Sequence, residues 1–238
     1  MTFYKIGVLL FTLTIGISLK AQDETPLKTS EYFESPLIGR SYTAPPKGQG
    51  SPYLFDSWLN GSVMLINGDT VKNRLFKLDC FKNEFLWMSD GKSIIALDHN
   101  LISGFTLFPS NGSAERNFVK TSLKLPMLSD TFVRYLEVLA LGEINLYAYR
   151  KVTVSTEPTI GSNGGLYQFL IYENEPYYFI QSGNRSVKQV KFQKKSIIGA
   201  YPDLSIQLKK VLRENHSGGI KNEYQLKQAI ITVNSNWN

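Results

Sequence analysis

The feature of this sequence that most constrains its fold is a series of short apolar segments joined by connections of roughly two to six residues. The series begins at Ser62, and two of its connections contain Asn67-Gly68 and Asp90-Gly91. Such pairs between apolar runs are typical of β-hairpins, because both turn positions tolerate a positive φ. Parallel strands need crossover connections of about a dozen residues or more. The spacing therefore predicts an antiparallel meander.

The number of predicted strands indicates the architecture of this meander. A sheet of about eight to ten consecutive antiparallel strands curls or splits into two packed layers. We therefore predict a mainly β fold, a single antiparallel β-sandwich or barrel-like meander, over residues 61–193. Residues 22–60 are rich in Pro and Gly, which disfavour helix and central strand, so we expect an irregular N-terminal arm there.

The hydrophobic period becomes helical after the last predicted strand. Apolar residues recur at helical spacing between Pro202-Asp203 and Gly218-Gly219, which are typical start and stop signals. Asn222, followed three residues later by Gln225, resembles a capping box that begins a last helix. Residues 194–238 are therefore predicted to form two or three short C-terminal α-helices packed on the same domain.

Residues 1–21 have the three-part layout of a secretory signal peptide. Lys5 supplies the charged region, residues 6–19 form the apolar region, and Ala21 is the small residue at the expected cleavage point. An uncleaved membrane anchor is the alternative, but the apolar run is shorter than the roughly 18–20 residues that a spanning helix needs. The sequence predicts an exported protein, periplasmic or outer-membrane associated, with no transmembrane helix after processing. It is not expected to be a lipoprotein, because the only cysteine, Cys80, is far from the apolar region.

The charge balance does not favour a nucleic-acid-binding protein. The formal net charge of the chain is +6, and removal of residues 1–21, which hold Lys5 and Lys20 and no acidic residue, lowers it to +4. We find no basic cluster that concentrates this surplus, and nucleic-acid binding requires a basic face. We therefore expect no nucleic-acid partner, whereas peripheral association with a membrane is compatible with the charge.

Residues suited to catalysis or metal binding are scarce. The two histidines are His99, in a predicted turn, and His216, just past a predicted helix end, and both are expected to be solvated. No spacing typical of zinc or calcium ligands occurs. Cys80 lies in an alternating strand pattern and is expected to be a small buried residue. We predict no catalytic residue, no metal site and no cofactor.

Acidic residues leave one enzymatic alternative open. Glycoside hydrolysis needs two carboxyl groups that face one pocket. Glu137 and Glu143 lie on adjacent predicted strands, and Glu173 lies in a predicted turn. A hydrolase acting on envelope glycans through these residues requires that the fold bring them together.

Aromatic residues are concentrated in one stretch of the predicted sheet, which is the first candidate for a binding surface. These residues are Tyr167, Phe169, Tyr172, Tyr177 and Tyr178. An exposed tyrosine can stack on sugar rings or bases and form a hydrogen bond with its hydroxyl, although the same side chains can instead fill a core. The preceding segment 156–165, which contains Asn163, is predicted to be a flexible loop of the kind that often carries ligand contacts.

Four motifs carry a family resemblance: Lys20-Ala21-Gln22, Gly61-Ser62-Val63 with Asn67-Gly68, the stretch 141–147, and the closing helices through Asn238. Together they resemble a class of uncharacterised exported β-proteins from bacteria of the Bacteroidota. The resemblance implies export and a β-rich fold with a helical tail. It implies no activity and no catalytic residue.

These observations favour an exported, non-enzymatic protein of the cell envelope, a binding or accessory component with a protein, glycan or lipid partner. The first alternative is the hydrolase acting through acidic residues. The second is a small outer-membrane β-barrel, whose spanning strands would need about 9–11 residues each.

Overall fold

A computed structural model describes residues 36–110, 112–121, 134–160, 164–215 and 218–237. The β-strands are β1 (Gly39–Ser41), β2 (Leu59–Leu65), β3 (Thr70–Asp79), β4 (Glu84–Met88), β5 (Ile94–Leu97), β6 (Ile102–Phe108), β7 (Arg116–Thr121), β8 (Arg134–Ala140), β9 (Ile144–Tyr149), β10 (Val152–Ile160), β11 (Leu166–Asn174), β12 (Tyr177–Ser182) and β13 (Lys188–Val190). The α-helices are α1 (Lys194–Ala200), α2 (Ser205–Asn215) and α3 (Glu223–Ser235).

Eleven of the strands form one sheet in the order β1-β5-β4-β3-β2-β6-β7-β8-β9-β12-β13, and β10 and β11 form a separate two-stranded hairpin. Every strand pair in the sheet and in the hairpin is antiparallel. The predicted mainly β, antiparallel fold with C-terminal helices is confirmed. Because β1 and β13 are the two ends of the order, the sheet that the described residues form is not closed into a barrel.

The simple meander order is wrong at two places. β6 pairs with the far edge of β2 instead of with β5, and β12 pairs with β9 because the β10–β11 hairpin leaves the sheet between them. Short connections restrict neighbouring strands to antiparallel directions, but they do not decide which free edge the next strand joins. The exit of the hairpin begins at Arg150 and Lys151, which separate β9 from β10.

The first half of the sheet is strongly curled around an aromatic core. Phe85 of β4 and Phe105 of β6 stack with ring centroids 3.7 Å apart, although β3 and β2 lie between their strands. Three strand spacings in a flat sheet would separate them by about 14 Å. The curling also brings Tyr135 of β8 to 5.1 Å from the Phe105 ring. The interior of this half is therefore enclosed by the sheet itself.

The second half of the sheet is covered by the helices. Leu146 of β9 and Ile180 of β12 pack in one buried cluster with Leu226 and Ile230 of α3. The apolar spacing of the closing segment is thus that of a helix with one face on a sheet.

The predicted burial of Cys80 is confirmed, and the residue lies in the aromatic core of the first half of the sheet. Burial raises the pKa of its thiol to about 12.

Candidate functional site

The β10–β11 hairpin extends away from the main sheet. Its two nine-residue strands contact chiefly each other, with Val152 paired to Asn174 at the base and Ile160 paired to Leu166 near the tip. Only the base is buried, and β10 is exposed from Val154 onward. An isolated two-stranded hairpin is marginally stable in water, so its base must be held by the rest of the fold.

The N-terminal arm provides that support. Gln49 donates its N–H to the Leu170 carbonyl oxygen and accepts from the Tyr172 N–H, both at 2.8 Å, so it acts as a third strand beside the base of β11. Glycine permits this close approach. A Cβ on Gly48 would stand 2.4 Å from the Leu170 carbonyl oxygen, and one on Gly50, whose φ is +76°, would stand 2.3 Å from that of Tyr172.

Two of the predicted aromatic residues form an exposed platform on one face of the hairpin. Tyr167 is 50% exposed and Phe169 is 43% exposed, and their side chains point to the same side of β11 because they are two residues apart. The residues directly opposite on β10 are Thr159 and Glu157. We call these four side chains the hairpin platform. It combines two rings about 7 Å apart with a hydroxyl and a carboxylate.

The other predicted aromatic residues are placed elsewhere and have structural partners. Tyr172 is buried at the hairpin base, where its hydroxyl donates to the Pro46 carbonyl oxygen at 2.7 Å. Tyr178 is buried beneath α3, and Tyr177 is half-buried. Asn163 lies outside the described residues. The structure therefore brings together Tyr167 and Phe169 from the predicted set and separates Tyr172, Tyr177 and Tyr178 from them.

The flexible loop predicted over 156–165 is wrong for its first half, and residues 161–163 lie outside the described residues. Residues 156–160 continue β10, and they pair in register with residues 166–170 of β11. Thr, Pro and Ser in this segment are typical of loops, but Pro158 is tolerated in a strand whose outer edge has no strand partner among the described residues. The segment is therefore one side of a regular antiparallel ladder.

The three acidic residues considered for hydrolysis occupy different environments. Glu137 is buried, and it accepts hydrogen bonds from Arg116 Nε at 2.6 Å and from Arg150 Nε at 2.5 Å. Glu143 is exposed in the turn before β9, and Glu173 is exposed near the end of β11. Glu137 lies opposite Ala148 of β9, whereas Glu143 directly precedes the first residue of that strand. The four residues between Ala148 and the start of β9 span about 13 Å, so the two glutamates are far apart along the sheet.

A buried carboxyl group fastens the arm to the sheet at another point. Asp79 accepts a hydrogen bond from the Tyr42 hydroxyl at 2.5 Å and from the backbone N–H groups of Phe81 and Lys82 at 2.9 and 2.8 Å. Burial raises the pKa of Asp79, although these hydrogen bonds act in the opposite direction. Because the side chain is fully buried, we assign it to anchoring the arm.

A further feature was missed by the reasoning from charge. A groove between β13 and α1 is lined by Arg185, Lys188, Lys191 and Lys195, so the conclusion that no basic cluster exists is wrong. We call it the basic groove. The signal was present in the sequence, since residues 185–195 contain five basic residues and no acidic one. The small net charge of the whole chain does not show this local concentration of basic residues.

The described residues include one of the two histidines. His99 is exposed in a short 3₁₀ turn, as expected, and His216 lies outside the described residues. Among the residues that the structure describes, no group of three or more His, Cys, Asp or Glu side chains is placed to hold a metal ion. In the same part of the chain, no helix is both long and apolar enough to cross a membrane.

Comparison with known proteins adds no assignment, because no family model, curated protein or solved structure matches this chain.

Proposed function

We propose that this chain is an exported, non-enzymatic envelope protein that binds a neutral glycan on the hairpin platform. The observation that carries the proposal is the pair of half-exposed rings, Tyr167 and Phe169, on one face of a hairpin that extends from the sheet. Rings exposed to water on a paired β-strand are suited to stacking on the apolar face of a sugar ring. The signal-like residues 1–21 support an envelope location, where glycans are abundant.

The polar residues of the platform favour a sugar over a purely apolar partner. Thr159 lies opposite Tyr167 and Glu157 lies opposite Phe169, so each ring has a hydrogen-bonding group beside it. A hydroxyl can donate or accept, and a carboxylate accepts from sugar hydroxyls. Ligand sites commonly combine an apolar surface with a few such polar groups that define orientation.

The charge of the hairpin favours a neutral ligand. Residues 152–174 contain Glu157 and Glu173 and neither lysine nor arginine. A phosphate or carboxylate ligand would be repelled there, and nucleic-acid binding depends on cationic contacts to phosphate. Neutral sugars carry no such penalty.

The binding experiment is a calorimetric titration of the purified protein with two probes, cellotetraose and the tetramer of N-acetylglucosamine. We expect at least one tetramer to bind, and we expect Tyr167→Ala or Phe169→Ala to weaken that binding about tenfold, because each removes a stacking contact of about 1–1.5 kcal/mol. The matched control is Leu166→Ala, which shortens a 75% exposed side chain on the opposite face of the same strand.

Leu166→Ala should change the affinity by less than about twofold. Equal losses of sugar affinity in Leu166→Ala and Phe169→Ala would show that binding does not depend on the face that carries the platform, and they would contradict the proposal. Absence of binding to both tetramers would also contradict it. Cell fractionation tests export separately: recovery of a cytoplasmic chain that retains residues 1–21 would count against that part.

A further inference from the structure

We infer that the basic groove binds a ligand that carries two or more phosphate groups. Its volume is about 1010 Å³, near the upper end of the range of about 300–1,000 Å³ found for small-molecule sites. Arg185 comes from the turn after β12, Lys188 from β13, Lys191 from the position just after that strand and Lys195 from α1. None of the described residues that line the groove is acidic. The site is separate from the hairpin platform.

Most of the positive charge in the groove is not neutralised. Arg185 forms an ion pair with Asp203 and lies over the Tyr201 ring, with its guanidinium carbon 5.8 Å from the ring centroid. Among the described residues, no carboxylate forms an ion pair with Lys188, Lys191 or Lys195. Like charges that converge on a concave surface raise the local potential and attract multivalent anions.

The backbone around these cations is held in place before any ligand arrives. The buried Tyr201 hydroxyl lies within donating distance of the carbonyl oxygens of Ser186 and Ile180, at 2.9 and 3.1 Å. Ser196 Oγ accepts from the backbone N–H of Lys191 at 2.9 Å, which ties the end of β13 to α1. Because the backbone is already fixed, anion binding needs to order only the side chains, which lowers its entropic cost.

Protection of the sheet edge is the competing explanation for these lysines. β13 is the last strand of the sheet, and lysine on an edge strand discourages pairing with another chain. That explanation accounts for Lys188. It does not account for Lys195, which lies on α1, or for Arg185, which precedes the strand. The convergence of side chains from three elements on one groove is better explained by a ligand.

Two sources could supply the phosphate groups, neighbouring headgroups of an anionic lipid or a soluble oligophosphate. Both present the same chemistry to the groove, namely several phosphate oxygens that accept hydrogen bonds from ammonium and guanidinium groups. The experiment therefore uses one probe of each kind. The probes are sodium tripolyphosphate and vesicles of phosphatidylglycerol, with phosphatidylcholine vesicles as the uncharged comparison.

The first arm is a titration of the purified protein with tripolyphosphate at low salt. We expect binding that weakens as salt rises and that falls about tenfold in the double variant Lys188→Gln with Lys195→Gln. The matched control is Lys209→Gln with Lys210→Gln, which removes the same charge from exposed positions of α2 outside the groove. The control should bind within about twofold of the wild type.

The second arm measures co-sedimentation with the vesicles. Selective sedimentation with phosphatidylglycerol, lost in the groove variant and retained in the control, would identify a lipid headgroup as the source. Tripolyphosphate binding without sedimentation would identify a soluble ligand. Equal weakening in the groove and control variants, or no binding of either probe, would overturn the inference. Thermal unfolding of both variants shows whether a loss of binding reflects a loss of folding.

Discussion

Lys92 adopts a left-handed backbone conformation, with a φ of 60°, in the turn between β4 and β5. The hairpin predicted at Asp90-Gly91 is confirmed, since β4 and β5 pair and the Lys92 N–H donates to the Ser89 carbonyl oxygen at 2.8 Å. The glycine, however, stands one residue before the position that needs it, and its own φ is not positive. A side chain in this conformation costs roughly 1–2 kcal/mol, so the turn carries avoidable strain.

Lys92→Gly should therefore stabilise the protein. We expect the free energy of unfolding to rise by about 0.5–1 kcal/mol, which is the relief of strain less the extra freedom of glycine in the unfolded chain. Urea unfolding followed by circular dichroism measures this change. Gly91→Ala is the companion variant: it meets no atom closer than 3.9 Å and should not destabilise the protein. A destabilised Lys92→Gly would contradict the argument.

At the scale of the element, the N-terminus of α3 is capped by residues next to it in the sequence. Asn222 Oδ1 accepts from the Gln225 N–H at 2.9 Å, which confirms the predicted start of α3. The return bond differs from the capping-box pattern, because Gln225 Oε1 accepts from the N–H of Lys221 and not from that of Asn222. Capping depends on residues within a few positions of each other, so the sequence reveals it well.

Asn222→Ala should destabilise the protein by about 1 kcal/mol, because it leaves the Gln225 N–H without its side-chain acceptor. Asn222→Asp should retain most of the stability, since a carboxylate is also an effective cap and is favourable at a helix N-terminus. Thermal unfolding of the two variants tests the difference between them. If both variants lose the same stability, the hydrogen bond to Gln225 is not the stabilising interaction.

At the scale of the whole molecule, an ion-pair network links the sheet to α3. Arg150, which follows β9, donates to Glu137 of β8 at 2.5 Å and to both carboxylate oxygens of Glu223 at 2.5 and 2.9 Å. Arg116 of β7 and the Tyr178 hydroxyl of β12 complete the network. Burial alone would raise the pKa of Glu223, but the hydrogen bond and charge of Arg150 outweigh it and lower that pKa below its ordinary value of 4.5.

Because the pKa of Glu223 is lower in the folded state, its contribution to the free energy of unfolding decreases as the pH falls. The unfolded chain takes up the proton first as the pH falls, so the stabilisation is complete above about pH 4.5 and is lost as the pH falls through the folded pKa. Glu223→Gln should cost about 1–2 kcal/mol at neutral pH, a modest value because the side chain is 35% exposed.

Unfolding curves for wild type and Glu223→Gln between pH 7 and 3 test this prediction. The difference in stability should shrink below about pH 4.5. Taking the difference removes the contribution of Asp79, whose raised pKa acts in the opposite sense in both proteins. Glu143→Gln, at an exposed position, is the control and should stay within about 0.5 kcal/mol of the wild type. A constant difference at all pH values would exclude the proposed role.

Several properties followed from the sequence alone because their causes are local. The hairpin turns and the capping of α3 depend on residues a few positions apart. Local alternation around Cys80 and short connections likewise predict its burial and the antiparallel direction of the strands. The aromatic composition of β11 likewise identified Tyr167 and Phe169 as candidates. Hydrophobic periodicity and the residue types in turns are sufficient to predict such features.

The tertiary structure decided the features that depend on which distant segments meet. The return of β6 to β2, the exit of the β10–β11 hairpin and its support by Gln49 rest on backbone hydrogen bonds between residues far apart in the chain. The same contacts buried Tyr172 and left Tyr167 exposed, and they gathered Arg185 and Lys195 around one groove. A one-dimensional pattern records which residues are apolar or charged, but edge choice and chain packing determine which of them share a surface.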